Sequence, residues 1–295
     1  MADATPPPSP APGPPDPPPR LRFMPTPFTF RLGEPLGSGT VGAVSRAHSD
    51  DIATPVAVKI LHPNIAHDPG MVERFQREIV VMERLAHPHI VRHHGGGMMN
   101  GQYFFAMELL EQGSLKERLR AAGPLPWRQA AQYLDQIASA LQHAHNHGII
   151  HRDLKPSNLF FAADGRIVLG DFGVAHDTLD ADRTDHGTTV GTYAYMSPEQ
   201  ITAEGKITGQ SDLYSLGCVA YEMLSGKPPF TGANFAQVWD QHLHAQPKSL
   251  VDAGVDCPPW LEGLVMQLLS KDPHTRPFNA RTVQGVIRQH LAADP

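Results

Sequence analysis

Near Gly113 the hydrophobic period of this chain changes, and few architectures accommodate the change. Before it, FTFRLGEPLGSG, GAVSRAH and TPVAVKIL, between Phe28 and Leu61, alternate apolar or β-branched residues with glycine punctuation, the pattern of a three-stranded meander. Asp68 then offers an N-cap and Pro69 a first helical position. Phe75, Ile79, Met82 and Leu85 follow at spacings of three and four, which predicts a helix. Further strands are expected around Ile90 to His94 and Tyr103 to Glu108. Beyond Gly113 the pattern is helical, in WRQAAQYLDQIASALQHAHNHG, DLYSLGCVAYEMLSG, PWLEGLVMQLL and ARTVQGVIRQHL. Between the first pair of these, LFFAADGRIVLG sets Asp164-Gly165 between apolar runs, a hairpin signal. A strand-rich first third and a helical remainder predict an α+β fold of two lobes, residues 28–110 and 111–295.

Residues 1–27 stand apart. MADATPPPSPAPGPPDPPPR has almost nothing with which to build a core, and its prolines favour a solvated polyproline helix, so a disordered tail is expected. The whole chain is 41% hydrophobic, ordinary for a protein with a core. A net charge of −6 excludes a whole-surface field that would gather nucleic acid or anionic membrane. Cys218 and Cys257 are too few for a disulfide framework or a four-thiolate metal site. No apolar run spans a bilayer and the N-terminus lacks a secretory pattern, so a cytoplasmic protein is expected.

Polar loops punctuate this framework in a fixed order. GSGTVGAV carries Gly37, Gly39 and Gly42 between predicted strands, where missing side chains let backbone N–H groups approach phosphates. A dinucleotide-binding turn would lead at once into a helix, whereas here a strand follows. VAVK puts Lys59 in the third strand, within reach of that turn. HRDLKPSN and DFG lie at opposite ends of the hairpin, which brings Asp153, Asn158 and Asp171 together. Carboxylate and carboxamide oxygens suit a hard divalent cation, and phosphoryl transfer further needs an acceptor for a hydroxyl proton and positive charge on the phosphates.

These ordered motifs, with SPE at Ser197 to Glu199, resemble the protein kinases, and most nearly the eukaryotic-type serine/threonine kinases of bacteria, over about Phe28 to Leu291. The resemblance implies a bilobal kinase fold with a β-rich N-lobe containing one long helix and a mainly helical C-lobe. It implies ATP as phosphoryl donor, Mg2+ as cation with Mn2+ as an alternative, and protein substrates. By the same resemblance Lys59 holds the α- and β-phosphates and pairs with Glu78. Asp153 orients the acceptor hydroxyl, Lys155 steadies the γ-phosphate, and Asn158 and Asp171 bind the cation. Leu36, Val44, Ala57 and Phe160 sandwich the adenine, with Met107 as gatekeeper before the hinge Glu108 to Leu110. Glu199 and Arg276 form a buried ion pair, and Asp212 braces the catalytic loop. Gly170 is small for its position and should leave space behind the adenine. A pseudokinase scaffold is the alternative, although such proteins typically lack one of Lys59, Asp153 and Asp171, all present here.

One departure concerns His93, which falls where kinases usually place an apolar residue in the column joining Phe172 to His151. His143 and His147 share a helical face at i and i+4, but no third metal ligand is evident beside them, so surface or capping roles are expected. Control is expected at Arg152, which in kinases with this arginine pairs with a phosphate on the activation segment. Thr184 best matches the phosphorylated position, with Thr188 and Thr189 as second choices, through autophosphorylation in trans within a transient dimer.

Overall fold

A computed structural model describes residues 30–38, 42–63, 68–99, 101–171, 193–203 and 206–293. The proline-rich tail, Gly39, Phe172, Thr184, Thr188 and Thr189 lie outside the described residues.

The alternating pattern of the first third forms a five-stranded antiparallel sheet in the order β1-β2-β3-β5-β4. Its strands are β1 (Arg31–Ser38), β2 (Gly42–Ser49), β3 (Ile52–Leu61), β4 (His93–Met99) and β5 (Gln102–Glu108). Consecutive side chains of a strand point to opposite faces, and this sheet buries both. Val56, Val58, Phe104 and Ala106 pack with Phe30 and Ala47 in one cluster, while Leu61 and Phe105 pack with Phe75 and Ile79 of α1 (Pro69–Glu83) in another. The α1 cap is the expected one: Asp68 Oδ1 accepts from the backbone N–H groups of Gly70 at 2.9 Å and Met71 at 3.3 Å.

β4 departs from expectation. The predicted strand at Ile90 to His94 is displaced onto His93–Met99, through a glycine run that carries no alternating pattern. The displacement has a packing cause. A Cβ on Gly96 would lie 2.9 Å from the Phe104 carbonyl oxygen, 3.0 Å from Ile79 Cδ1 and 3.1 Å from Phe105 Cβ, so α1 reaches the sheet only over a bare backbone. Ile90 and Val91 instead join the lobes: Ile90 bridges Leu169, and Val91 N–H donates to the Leu169 carbonyl at 2.9 Å.

The helical part contains α2 (Leu115–Ala122), α3 (Trp127–Asn146), α4 (Pro198–Thr202), α5 (Gly209–Ser225), α6 (Phe235–His244), α7 (Pro259–Leu268) and α8 (Ala280–Ala293). Nearly every residue of α5 from Ser211 to Leu224 is buried, so this helix is the axis of the core rather than a surface element. The hairpin β6 (Leu159–Phe161) and β7 (Ile167–Leu169) turns through Gly165 at φ 82°, as the Asp-Gly signal predicts. His147 Nδ1 engages the His143 carbonyl at 2.9 Å, closing the last turn of α3. Among the described residues no helix is long and apolar enough to cross a membrane.

Replacing Gly96 by alanine should force α1 from the sheet and lower stability by about 1–3 kcal/mol; thermal denaturation of the variant checks this.

Candidate active site

The cleft between sheet and helices collects most of the polar groups singled out in the sequence. On its upper wall, Gly37 and Gly42 are glycines for different reasons. A Cβ on Gly42 would collide with the Ile60 carbonyl, so β2 needs that glycine to pair with β3. At Gly37 a Cβ would meet nothing within 4 Å among the described residues, and the open backbone there suits close approach of a ligand.

Lys59 is set by its register in β3, opposite Val44 and Phe105. Its Nζ lies 3.6 Å from Glu78 Oε1 and 3.3 Å from Asp171 Oδ1, with the Lys59 and Glu78 side chains only 15% and 5% exposed. Burial opposes the Lys59 charge, but Asp171 and Glu78 more than offset it and hold the ammonium's pKa above its ordinary value. In return Lys59 holds the Asp171 carboxyl below the usual range. Burial lifts Glu78 to about 7, against Lys59 and with some help from Asp171.

On the lower wall, His151 is fully buried and fixed by both ring nitrogens: Nδ1 accepts from Asp153 N–H at 3.3 Å, so Nε2 carries the proton shared with the Gly170 carbonyl at 3.0 Å. Asp153 is gripped by Lys155 Nζ at 2.9 and 2.8 Å and by Asn158 Nδ2 at 3.1 Å. The same amide nitrogen donates to the Asp153 carbonyl, leaving Asn158 Oδ1 as the oxygen offered to a cation. Arg152 and Asp171 adopt left-handed backbone at φ 66° and 43°, strain of about 1–3 kcal/mol each that surrounding bonds must offset.

Asp212, on α5, supplies much of that offset at Arg152. Its carboxylate accepts from His151 N–H at 2.9 Å, Arg152 N–H at 2.8 Å and His145 Nε2 at 2.7 Å. Burial resists its ionisation, yet the His145 ring and the neighbouring His151 bring its pKa below the ordinary value. The sequence singles out His143 and His147 on this helix rather than His145. The signal was present: His145 follows Leu141 by four and Ala138 by seven, on the buried face of α3.

The remaining positions are placed as follows. Ala57 is buried opposite Met107, Val56 pairs with Glu108, and Leu36 is exposed on β1. Leu110 is half-buried against the helical core. Phe160 lies beneath, in β6, and fills the space expected at Gly170: a Cβ on Gly170 would come within 3.1 Å of Phe160 Cε2. The expected extra space is therefore absent. Arg276 is wholly buried and grips Glu199 through paired bonds of 2.7 and 3.0 Å. His93 begins β4 with Nδ1 accepting from Gly95 N–H at 3.2 Å, while its buried Nε2 finds no hydrogen-bond partner among the described residues. Burial lowers its pKa to about 4, so the ring is neutral near pH 7.

Glu78 yields a pH-dependent expectation. Its folded-state pKa of about 7 exceeds the ordinary 4.5, so the carboxyl contributes stability below about 4.5 that is lost as pH rises toward 7. Glu78→Gln lacks that loss, and its Tm relative to wild type should rise between about pH 5 and pH 8. A Tm difference independent of pH would show that Glu78 is not buried at such a cost.

Comparison with known proteins agrees with this geometry. The protein kinase domain model matches residues 30–286. The chain is 35% identical over 273 residues to the serine/threonine-protein kinase PknB of Mycolicibacterium smegmatis, covering 90% of this chain and 44% of that protein. It is 34% identical over 259 residues to the serine/threonine-protein kinase PrkC of Bacillus subtilis, covering 88% and 40%. This chain thus spans less than half the length of these curated relatives. Among solved structures, the kinase domain of Mycobacterium tuberculosis PknI superposes with a TM-score of 0.67 at 26% identity, covering 88% of this chain and 95% of that one. With its sheet, its helical lobe and the loops between them arranged as described, the chain belongs to the protein kinase domain family, among the serine/threonine-protein kinases of bacteria.

Proposed function

We propose that this chain transfers the γ-phosphoryl group of ATP to serine or threonine hydroxyls of proteins, with Asp153 as the group that receives the hydroxyl proton. The observation that carries this is the pair of facing clusters: Lys59 held between Glu78 and Asp171, and Asp153 held by Lys155 and Asn158. The hydroxyl oxygen attacks the γ-phosphorus, the bond to the β–γ bridging oxygen breaks, ADP departs, and the proton passes to the Asp153 carboxylate. Lys155 and Lys59 supply positive charge to the γ-phosphate and to the α- and β-phosphates. The backbone at Gly37 and Gly42 is open to the phosphates, and Ala57, Val44, Leu36 and Phe160 enclose the base. The oxygens of Asn158 and Asp171 fit Mg2+, which would neutralise phosphate charge. Each group whose loss marks a pseudokinase is present and engaged.

Lys59→Met and Asp153→Asn should each reduce Mg2+-dependent phosphorylation of a peptide by at least about a hundredfold while leaving the protein folded. Transfer by Asp153→Asn at the wild-type rate would refute the assignment.

Control is proposed to run through Arg152 and a phosphate on Thr184, with Thr188 and Thr189 as secondary acceptors, placed by a second copy of the chain. A guanidinium–phosphate pair is charge-assisted and fixes orientation. The combined Thr184→Ala, Thr188→Ala and Thr189→Ala variant should be a slow kinase with unchanged ATP binding. Peptide phosphorylation as fast as that of the phosphorylated wild type would exclude these sites.

A further inference from the structure

The geometry points to Gln200 as a positioning residue for Asp153. Gln200 is buried on α4, directly after Glu199, and its side chain faces the catalytic loop rather than solvent. Its Nε2 donates to the Arg152 carbonyl at 2.8 Å. Its Oε1 accepts from the N–H and the hydroxyl of Ser197, both at 3.1 Å, completing a capping box at the start of α4.

The peptide unit so gripped is the one that carries Asp153. Its carbonyl belongs to Arg152 and its N–H to Asp153, and that N–H donates to His151 Nδ1 at 3.3 Å. The unit is therefore fixed from both sides, by a ring nitrogen of the loop and by an amide from the end of the activation segment. Arg152 precedes it at φ 66°, where a non-glycine residue is strained and can relax if its neighbours release it. Asp212 holds the Arg152 N–H, and Gln200 holds the carbonyl at the other end of the same residue. A rotation of this unit would swing the Asp153 carboxylate away from a bound hydroxyl, and a misplacement of about 1 Å is enough to slow transfer greatly.

Gln200 is itself anchored. Glu199, its chain neighbour, is locked to buried Arg276 at 2.7 Å and accepts from the Ser211 hydroxyl at 2.7 Å. The end of the activation segment is thereby tied to the proton acceptor through the Gln200 amide. Glutamine serves here because its amide at once accepts for the cap and donates to the carbonyl.

Gln200→Glu separates these tasks, since a carboxylate keeps the cap acceptor, the usual residue of a capping box, and removes the donor. A protonated carboxyl restores a donor, and burial favours that protonated form. The experiment measures kcat and the KM for ATP of the whole chain carrying Gln200→Glu or Gln200→Met, on a serine or threonine peptide over about pH 5.5 to 9, each divided by the wild-type value at the same pH. For Gln200→Glu the kcat ratio should lie near one at the acid end and fall about three- to tenfold as pH rises, with the KM for ATP unchanged. Gln200→Met, with neither function, should show a lowered kcat ratio at every pH. A Gln200→Glu ratio of one throughout, or a pH-independent loss equal to that of Gln200→Met, would overturn the inference. It rests on the assignment of Asp153, and Asp153→Asn measured alongside distinguishes the failures: wild-type turnover by that variant overturns the assignment and the inference together, whereas an inactive Asp153→Asn beside an unimpaired Gln200→Glu overturns the inference alone.

Discussion

A carboxylate buried at the centre of the helical lobe organises the site. Asp212 sits on the most enclosed helix of the protein and is 1% exposed, a position where an unpaired charge would be destabilising by several kcal/mol. It is tolerated because three donors converge on it, His151 N–H, Arg152 N–H and the His145 ring. Those donors come from the loop that carries Asp153 and from α3, so satisfying the charge and shaping the loop are the same event. The loop's left-handed Arg152 persists for that reason: releasing it would take one of three donors from a buried anion as well as relax the backbone.

A second buried charge pair repeats the logic at α4. Arg276 donates to Glu199 and also to the carbonyls of Ser270, Lys271 and Gln210, so its guanidinium is saturated by partners from separate segments. Burial opposes ionisation of Glu199, but Arg276 and Ser211 hold its pKa below the ordinary range. Such a pair adds little net stability compared with apolar packing, because both ions lose hydration. What it provides is position. α4 cannot slide without breaking a bidentate contact to a buried guanidinium, and Ser197, Glu199 and Gln200 inherit that fixity.

The sequence was most legible where local chemistry and tertiary structure agree. The α1 cap, the hairpin at Asp164-Gly165, the strand carrying Lys59 and the loops carrying Asp153, Asn158 and Asp171 follow from residue type and spacing. It was least legible where a residue is chosen by a neighbour distant in the chain. The glycine run of β4 shows no strand pattern, because Gly96 is specified by what presses on it from α1 and β5 and Gly95 by a backbone at φ 115°. His145 was overlooked for the same reason: its partner is 67 positions away, and only the helical face it occupies hints at a buried role.

Gly170 and Phe160 show how a single small residue can mislead. Viewed along the chain, a glycine before DFG suggests a vacancy. In space it sits beside the aromatic ring of β6, whose Cε2 and Cδ2 would come within 3.1 and 3.3 Å of an added Cβ. The volume is given to the half-buried Phe160, and close packing leaves no methyl-sized gap to share between them. Gly170 also presents its carbonyl to the His151 ring and its N–H to the Asn158 carbonyl at 2.9 Å, so its backbone is held on both sides while its missing side chain admits the ring. The identities of these residues are coupled at the end of the hairpin: the Phe160 ring lies beside Gly170 because that residue carries no side chain, and any larger residue there would crowd the ring.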